Sequence, residues 1–197
     1  MTDYVVVGVG NVGSLMAYEL AKNTLQDTDR IFLYDKDERK AEGVRLDLMQ
    51  INDNVDLFNG VGRLGREVVV IISARFKDDK DLEETVKKII SVIPEEYSDV
   101  SFYVISNPVA ENVKKIAEIC NKSLKCEVVG TDESLNNARL EKIFDREPTL
   151  RGWHGSEEPE ELRKVAEEYR DRLLKYGPSR FGVVYYAIKQ LGEMGWI

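Results

Sequence analysis

The apolar run Tyr4-Val5-Val6-Val7 meets three glycines spaced Gly-x-Gly-x-x-Gly, namely Gly8, Gly10 and Gly13, and Ser14 to Leu20 then follow at helical period. A buried strand, a glycine turn and a helix in that order constrain this chain more than any other feature, because each glycine has its own physical task. Gly8 allows the tight turn off the strand, Gly10 lets backbone approach a bound pyrophosphate, and Gly13 lets the helix pack closely on the sheet. The helix start at Asn11 and Val12 offers N–H donors and the positive end of the helix dipole to an anion. Dinucleotide binding is the expectation, with Gly8, Gly10, Asn11, Val12 and Gly13 around the phosphates.

A second strand, Ile31 to Tyr34, ends in Asp35, about 20 residues beyond the glycine turn, where such a fold places its ribose-binding acid. A carboxylate there accepts hydrogen bonds from the ribose diol and repels a 2′-phosphate, so Asp35 favours NAD over NADP. The glycine pattern occurs again at Gly60, Gly62 and Gly65. This copy leads into Arg66-Glu67-Val68-Val69-Val70-Ile71-Ile72, a β-branched run with the character of a strand. It therefore lacks the helix N-terminus that would hold a phosphate, and is expected to be a strand-to-strand loop.

Strand candidates recur at Tyr4 to Val7, Ile31 to Tyr34, Val55 to Phe58, Val68 to Ser73, Ser101 to Ser106 and Cys126 to Val129. Several are apolar throughout, as strands buried on both faces must be. Helical stretches lie between and after them: Val12 to Lys22, Glu38 to Asn52, Leu82 to Ile93, Ala110 to Asn121 and Glu133 to Phe144. This alternation predicts an α/β fold, a Rossmann-type doubly wound parallel sheet. After Arg146-Glu147-Pro148 two further helices are expected, Glu158 to Lys175 and Phe181 to Met194, as a reduced, mainly helical C-terminal extension. The expected domains are thus 1–146, binding NAD, and 147–197, a helical remnant of a second domain. The last helix is apolar almost all round and needs covering, by the sheet or by a second subunit.

With a formal net charge of −8 and no basic tail, the chain is not expected to bind nucleic acid. No apolar run is long enough to cross a bilayer, and Met1-Thr2-Asp3 leads straight into the first strand, so a cytoplasmic protein without membrane attachment is expected. Cys120 and Cys126, at an expected helix end and strand start, are taken as small buried residues rather than a disulfide or metal site.

Further stretches, in order, resemble the lactate/malate dehydrogenase family. Ala41-Glu42-Gly43-Val44-Arg45-Leu46-Asp47-Leu48 resembles the segment after its ribose acid, and Ser106-Asn107-Pro108-Val109 its Asn-Pro turn beside the nicotinamide. Val129-Gly130-Thr131 also fits, as do Leu135-Asn136-Asn137-Ala138-Arg139 and Trp153-His154-Gly155-Ser156, beside the family's Leu-Asp-Ser-Ala-Arg and Glu-His-Gly-Asp motifs. The resemblance implies hydride transfer between NAD and a small 2-hydroxy or 2-oxo acid. It gives Arg139 the substrate carboxylate, His154 the proton and Asn107 the reacting oxygen or the nicotinamide, with Ser73 and Ala74 as further cofactor contacts. The residue types suit these tasks, since a guanidinium grips a carboxylate bidentately and an imidazole exchanges a proton near neutral pH. The resemblance also implies a homo-oligomer, with the helix from Glu38 to Asn52 at a subunit contact.

Three departures are plain in the sequence. Asn136 stands where the family has the aspartate that orients and charges its histidine; an Asp→Asn change of that kind in an unrelated hydrolase lowers turnover about 10⁴-fold, or about 5 kcal/mol. The loop after the fourth strand, Ser73 to Lys80, is short and holds one arginine, Arg75. The segment between Arg139 and His154 is also short, and the strands of a substrate domain are missing. Ordinary structural roles remain open beside the catalytic ones: His154 as a surface-loop residue, Arg139 as a solvated or ion-paired helix residue, Asp47 as a carboxylate paired with a neighbour or a partner subunit. The alternative function is a non-catalytic NAD-binding or interaction protein derived from the family.

Overall fold

In the computed structural model, which describes residues 1–23, 29–94, 99–121, 124, 126–144 and 180–197, strands and helices alternate from the first residues onward. The order is β1 Thr2–Val7, α1 Asn11–Asn23, β2 Arg30–Tyr34, α2 Glu38–Leu48, β3 Val55–Leu57, β4 Glu67–Ile72, α3 Asp79–Ile90, β5 Asp99–Val104, α4 Val109–Cys120, β6 Cys126–Gly130 and α5 Ser134–Phe144. The last described helix is α6, Phe181–Glu193. The expected helix from Glu158 to Lys175 lies outside the described residues.

The six strands pair in parallel in the order β3-β2-β1-β4-β5-β6. Strand order reverses between β1 and β4, which opens a crevice at their carboxyl ends. Because side chains alternate across a strand, the sheet has two cores. Tyr4, Val6, Ile31, Leu33, Ile71 and Tyr103 face one layer, which includes residues of α1, α2 and α6. Val5, Val7, Phe32, Val70, Ile72 and Phe102 face the other, with residues of α3 and α4.

The sheet face resolves what covers α6. Val184, Ala187 and Leu191 recur at helical spacing and are buried in the first core, and the helix packs on α1. Its remaining apolar surface is outward: Phe181 and Tyr185 are 68% and 65% exposed.

Several boundaries move for local reasons. The helix expected to reach Asn52 ends at Leu48, and Asn52 turns the chain instead, its side chain accepting from the Asn54 N–H and donating to Ala21 O. Helix α3 starts at Asp79 rather than Leu82 because Asp78 caps it, accepting from the Asp81 N–H at 2.9 Å. Phe58 leaves β3 for a short 3₁₀ turn, Phe58–Gly60. The second glycine pattern is a loop into β4, and its Gly65 N–H is bound to the buried carboxylate of Asp3. No helix among the described residues is long and apolar enough to cross a membrane.

Candidate functional site at the carboxyl ends of the strands

The glycine turn is built by exclusion. Gly8 has φ +86°, and a Cβ on it would lie 2.5 Å from Ala74 Cα; a Cβ on Gly13 would lie 1.8 Å from Gly8 O and 2.4 Å from Ser73 Oγ. Both positions are closed to any side chain. At Gly10 the nearest atom to such a Cβ is Lys40 Nζ, 3.7 Å away, so the space above this residue is open. The first intrahelical bond of α1 runs from Ser14 N to Gly10 O at 2.9 Å. The N–H groups of Asn11, Val12 and Gly13 belong to the helix's first turn, which has no intrahelical acceptors.

A cleft of about 600 Å³ opens over this turn. Gly8, Gly10, Asn11, Val12, Asp35, Ser73 and Ala74 line it, together with residues that the sequence did not single out: Tyr34, Lys36, Lys40, Phe76 and Thr85, and Arg75. Ser73 is held by the strand ends, its hydroxyl donating to Val7 O at 3.0 Å and Gly8 O at 2.6 Å. Ala74 closes the site from the side by its contact with Gly8.

Asp35 stands at the end of β2. Its Oδ2 accepts from the Val9 N–H at 2.9 Å and its Oδ1 from the Asp37 N–H at 3.0 Å. A carboxylate offers about four lone-pair sites, so capacity for a ribose diol remains on both oxygens. Lys40 Nζ lies 3.6 Å from Asp35 Oδ2, which places one cation between the acid and the open glycine. Lys36 is engaged elsewhere: it pairs with Asp81, whose carboxylate keeps the lysine pKa high while its own is held low. The residues present therefore fit a dinucleotide: open backbone for a pyrophosphate, a helix start behind it and an acid for the ribose.

A second group of sequence-predicted residues lies at the ends of β5 and β6, which are in register at Val104 and Gly130. Asn107 follows β5, exposed, with a cis bond to Pro108. Thr131 N–H donates to Val104 O at 2.9 Å and fixes the chain as it leaves β6 for α5. Asn136 sits in the first turns of α5, buried at 7% exposure. Its Nδ2 donates to Glu133 Oε2 at 2.8 Å, and Glu133 is 4% exposed. Sequence reasoning missed Glu133, since a glutamate opening a helix has the ordinary look of a solvated residue.

The backbone of Arg139 lies three positions beyond Asn136 in α5. His154 lies outside the described residues. The structure thus brings Asn107 and Asn136 to the same edge of the sheet as the cofactor cleft. Asp47 is exposed on α2, and Arg45 bonds Glu42 through both guanidinium nitrogens Nε and Nη2. Cys120 and Cys126 are free thiols at the end of α4 and the start of β6. The neighbouring Cys126 thiol and burial push the Cys120 thiol up, and Cys126 Sγ donates to Leu124 O at 3.7 Å. Among the described residues no cluster of histidine, cysteine and acidic side chains could hold a metal ion.

No family's sequence model matches the chain, and no curated protein sequence does. Solved structures do. The chain is similar to a lactate dehydrogenase from Cryptosporidium parvum with TM-score 0.63 and 15% identity, over 95% of this chain and 75% of that one. It is similar to a malate dehydrogenase from Plasmodium falciparum, solved in complex with NADH, with TM-score 0.64 and 15% identity, over 97% of this chain and 75% of that one. At this identity the likeness establishes the fold: a Rossmann-type α/β sheet of the kind these dehydrogenases share.

Proposed function

We propose that this chain is an NAD-dependent oxidoreductase of the lactate/malate dehydrogenase type, moving a hydride between the nicotinamide and a small 2-hydroxy or 2-oxo acid. The observation that carries the reading is the contrast among the three glycines: two are closed by protein, while Gly10 is left open beneath a cleft that also holds Asp35. Gly10, Asn11 and Val12 would hold the pyrophosphate, Asp35 the adenosine ribose, and Ser73, Ala74 and Asn107 the nicotinamide half. NAD, when bound, supplies the hydride acceptor. The chain's own groups do the rest: Arg139 grips the substrate carboxylate, His154 takes and returns the hydroxyl proton, and Asn107 positions the reacting oxygen.

Asn136 favours a second reading, a protein that binds NAD without catalysis. One experiment separates the two. Purified protein is titrated with NADH, then followed at the nicotinamide absorbance with oxaloacetate, pyruvate and other 2-oxo acids. Turnover that His154→Ala abolishes supports the dehydrogenase. Binding without turnover supports the second reading, and absence of binding removes both.

Self-association and cytoplasmic residence belong to the same proposal. Leu46 on α2 and Ile51 in the turn after it are 54% and 50% exposed, and the free thiols suit a reducing compartment. Light scattering of the protein and of Leu46→Glu tests the first: a dimer or larger species that the charge dissociates.

A further inference from the structure

Cys120 ends α4 and Cys126 begins β6, and both belong to the second core: Cys120 is fully buried, and Cys126 packs half-buried against the same cluster. Leu124 draws them together. Its N–H donates to Cys120 O at 2.7 Å, and Cys126 Sγ donates to its carbonyl oxygen at 3.7 Å. The two thiols are neighbours, close enough that the Cys126 thiol, with burial, keeps Cys120 protonated. Any small apolar side chain would fill this space; what cysteine adds is its redox chemistry.

We propose that Cys120 and Cys126 are a peroxide-responsive thiol pair, which closes to a disulfide and staples the end of α4 to the start of β6. A disulfide forms without backbone movement only between side chains that already face each other. These two share one core cluster and one intervening partner, Leu124. The strand end of the staple is held independently, since Cys126 is in register with Val100 of β5. Within a reducing compartment such a bond is transient, and dithiol exchange returns it to two thiols.

The two sulfurs differ in access, and this orders the steps. Cys126 lines a cavity of about 530 Å³ at the amino ends of β4, β5 and β6, beside the acids Glu67, Asp99 and Glu127. Cys120 is closed to solvent. Hydrogen peroxide, small and neutral, enters such a space, whereas the carboxylates repel anionic oxidants such as glutathione disulfide. The Cys126 thiolate attacks one peroxide oxygen: the S–O bond forms, the O–O bond breaks and hydroxide leaves, giving a sulfenic acid. The Cys120 sulfur then attacks the Cys126 sulfur, forming the S–S bond and expelling the sulfenic oxygen as water. The thiols together have lost two protons and two electrons, and one peroxide has become two waters.

The pair stands apart from the cofactor cleft and does not depend on the functional reading. Helix α4 has 12 residues, about 18 Å of helix, and Asn107 lies at its other end. The effect of closure is therefore on the fold: a crosslink removes freedom from the unfolded chain, so the oxidised protein unfolds at a higher urea concentration than the reduced one.

Reduced protein, as the full chain, is treated with a slight excess of hydrogen peroxide, denatured, alkylated and weighed. The mass should fall by about 2 Da, both cysteines should resist alkylation, and digestion should release one linked peptide pair, Cys120 to Cys126, formed at a rate independent of protein concentration. Dithiothreitol should restore both thiols. Cys120→Ala should stop at the sulfenic acid on Cys126, a gain of about 16 Da that dimedone traps, and Cys126→Ala should leave Cys120 at least about tenfold slower to react. A parent that keeps both thiols, carries sulfinic acid on Cys126 beside a free Cys120, or links between chains overturns the inference, as does an oxidised form no more resistant to urea than the reduced one. These readings come from the parent itself, so they decide the question even where a cysteine variant fails to fold.

Discussion

Gly10 and Gly13 are three residues apart in one turn and should respond oppositely to the same methyl group. A Cβ at Gly13 meets the backbone oxygen of Gly8 at 1.8 Å, and neither strand nor helix can yield without loosening the other. Gly13→Ala should cost about 1–3 kcal/mol, the range for overpacked interiors, read from urea unfolding. Gly10→Ala faces open space and should stay within about 0.5 kcal/mol of the parent, yet weaken NADH about tenfold or more by filling the approach to the pyrophosphate. Asp35→Asn is the matching test at the ribose. Removing the charge beside Lys40 should lower the ratio of NADH to NADPH affinity at least about tenfold, or about 1.4 kcal/mol; an unchanged ratio would detach Asp35 from cofactor choice. These residues were legible in the sequence because each stands in its own local context, after a strand or before a helix. Lys40 and Glu133 were not. Lys40 matters through its reach across the first turn of α2 to Asp35 and Gly10, and Glu133 through a burial that tertiary packing decides.

The strands and α6 differ in how far sequence could place them. Runs such as Val5 to Val7 and Val68 to Ile72, with no polar side, had to be interior strands of a parallel sheet, and they are. The overrun of α2 into Asn52 and the late start given to α3 share a cause: side-chain hydrogen bonds of Asn52 and Asp78 set those ends, and hydrophobic period does not report them. Helix α6 was legible as a helix but not in its destination, since an all-round apolar pattern does not choose between sheet and subunit. Two details make the choice. Leu191 is fully buried in the first core, and Leu191→Ala should cost about 2–5 kcal/mol in the same urea assay. Gln190 ties three elements together: Tyr103 OH donates to its Oε1 at 2.8 Å, the Asp132 N–H does so at 3.2 Å, and its Nε2 donates to Gly130 O at 3.3 Å. Gln190→Leu leaves those groups without a partner and should cost about 1–3 kcal/mol, with amide exchange at Asp132 accelerating most. A loss confined to α6 itself would show that the helix merely leans on the sheet.

For the molecule as a whole, the C-terminal segment is fastened to the sheet by two buried phenols, and this makes stability depend on alkaline pH. Tyr4 OH donates to Trp196 O at 3.1 Å and Tyr103 OH to Gln190, one on β1 and one on β5. Burial, and then the negative charge of Asp29 and Glu67, pushes the Tyr4 phenol up to about 12. Burial likewise pushes Tyr103 up. In the unfolded chain a tyrosine releases its proton near pH 10. Both folded values lie above that, so from pH 10 upward the folded state retains protons that the unfolded state has lost. The stabilisation is fully present below pH 10; it drains away as pH climbs toward 12 for Tyr4, and further still for Tyr103. Each phenol contributes a slope of about 1.4 kcal/mol per pH unit in that window. Tyr4→Phe removes one slope and, at neutral pH, costs about 1 kcal/mol for the lost hydrogen bond. Urea unfolding at pH 8, 10 and 11 decides the matter: between pH 10 and 11 the parent should lose about 2 kcal/mol more than Tyr4→Phe/Tyr103→Phe. Parallel losses in the two proteins would mean that the alkaline limit of this fold is set elsewhere than at the two points where its C-terminal segment is tied to its sheet.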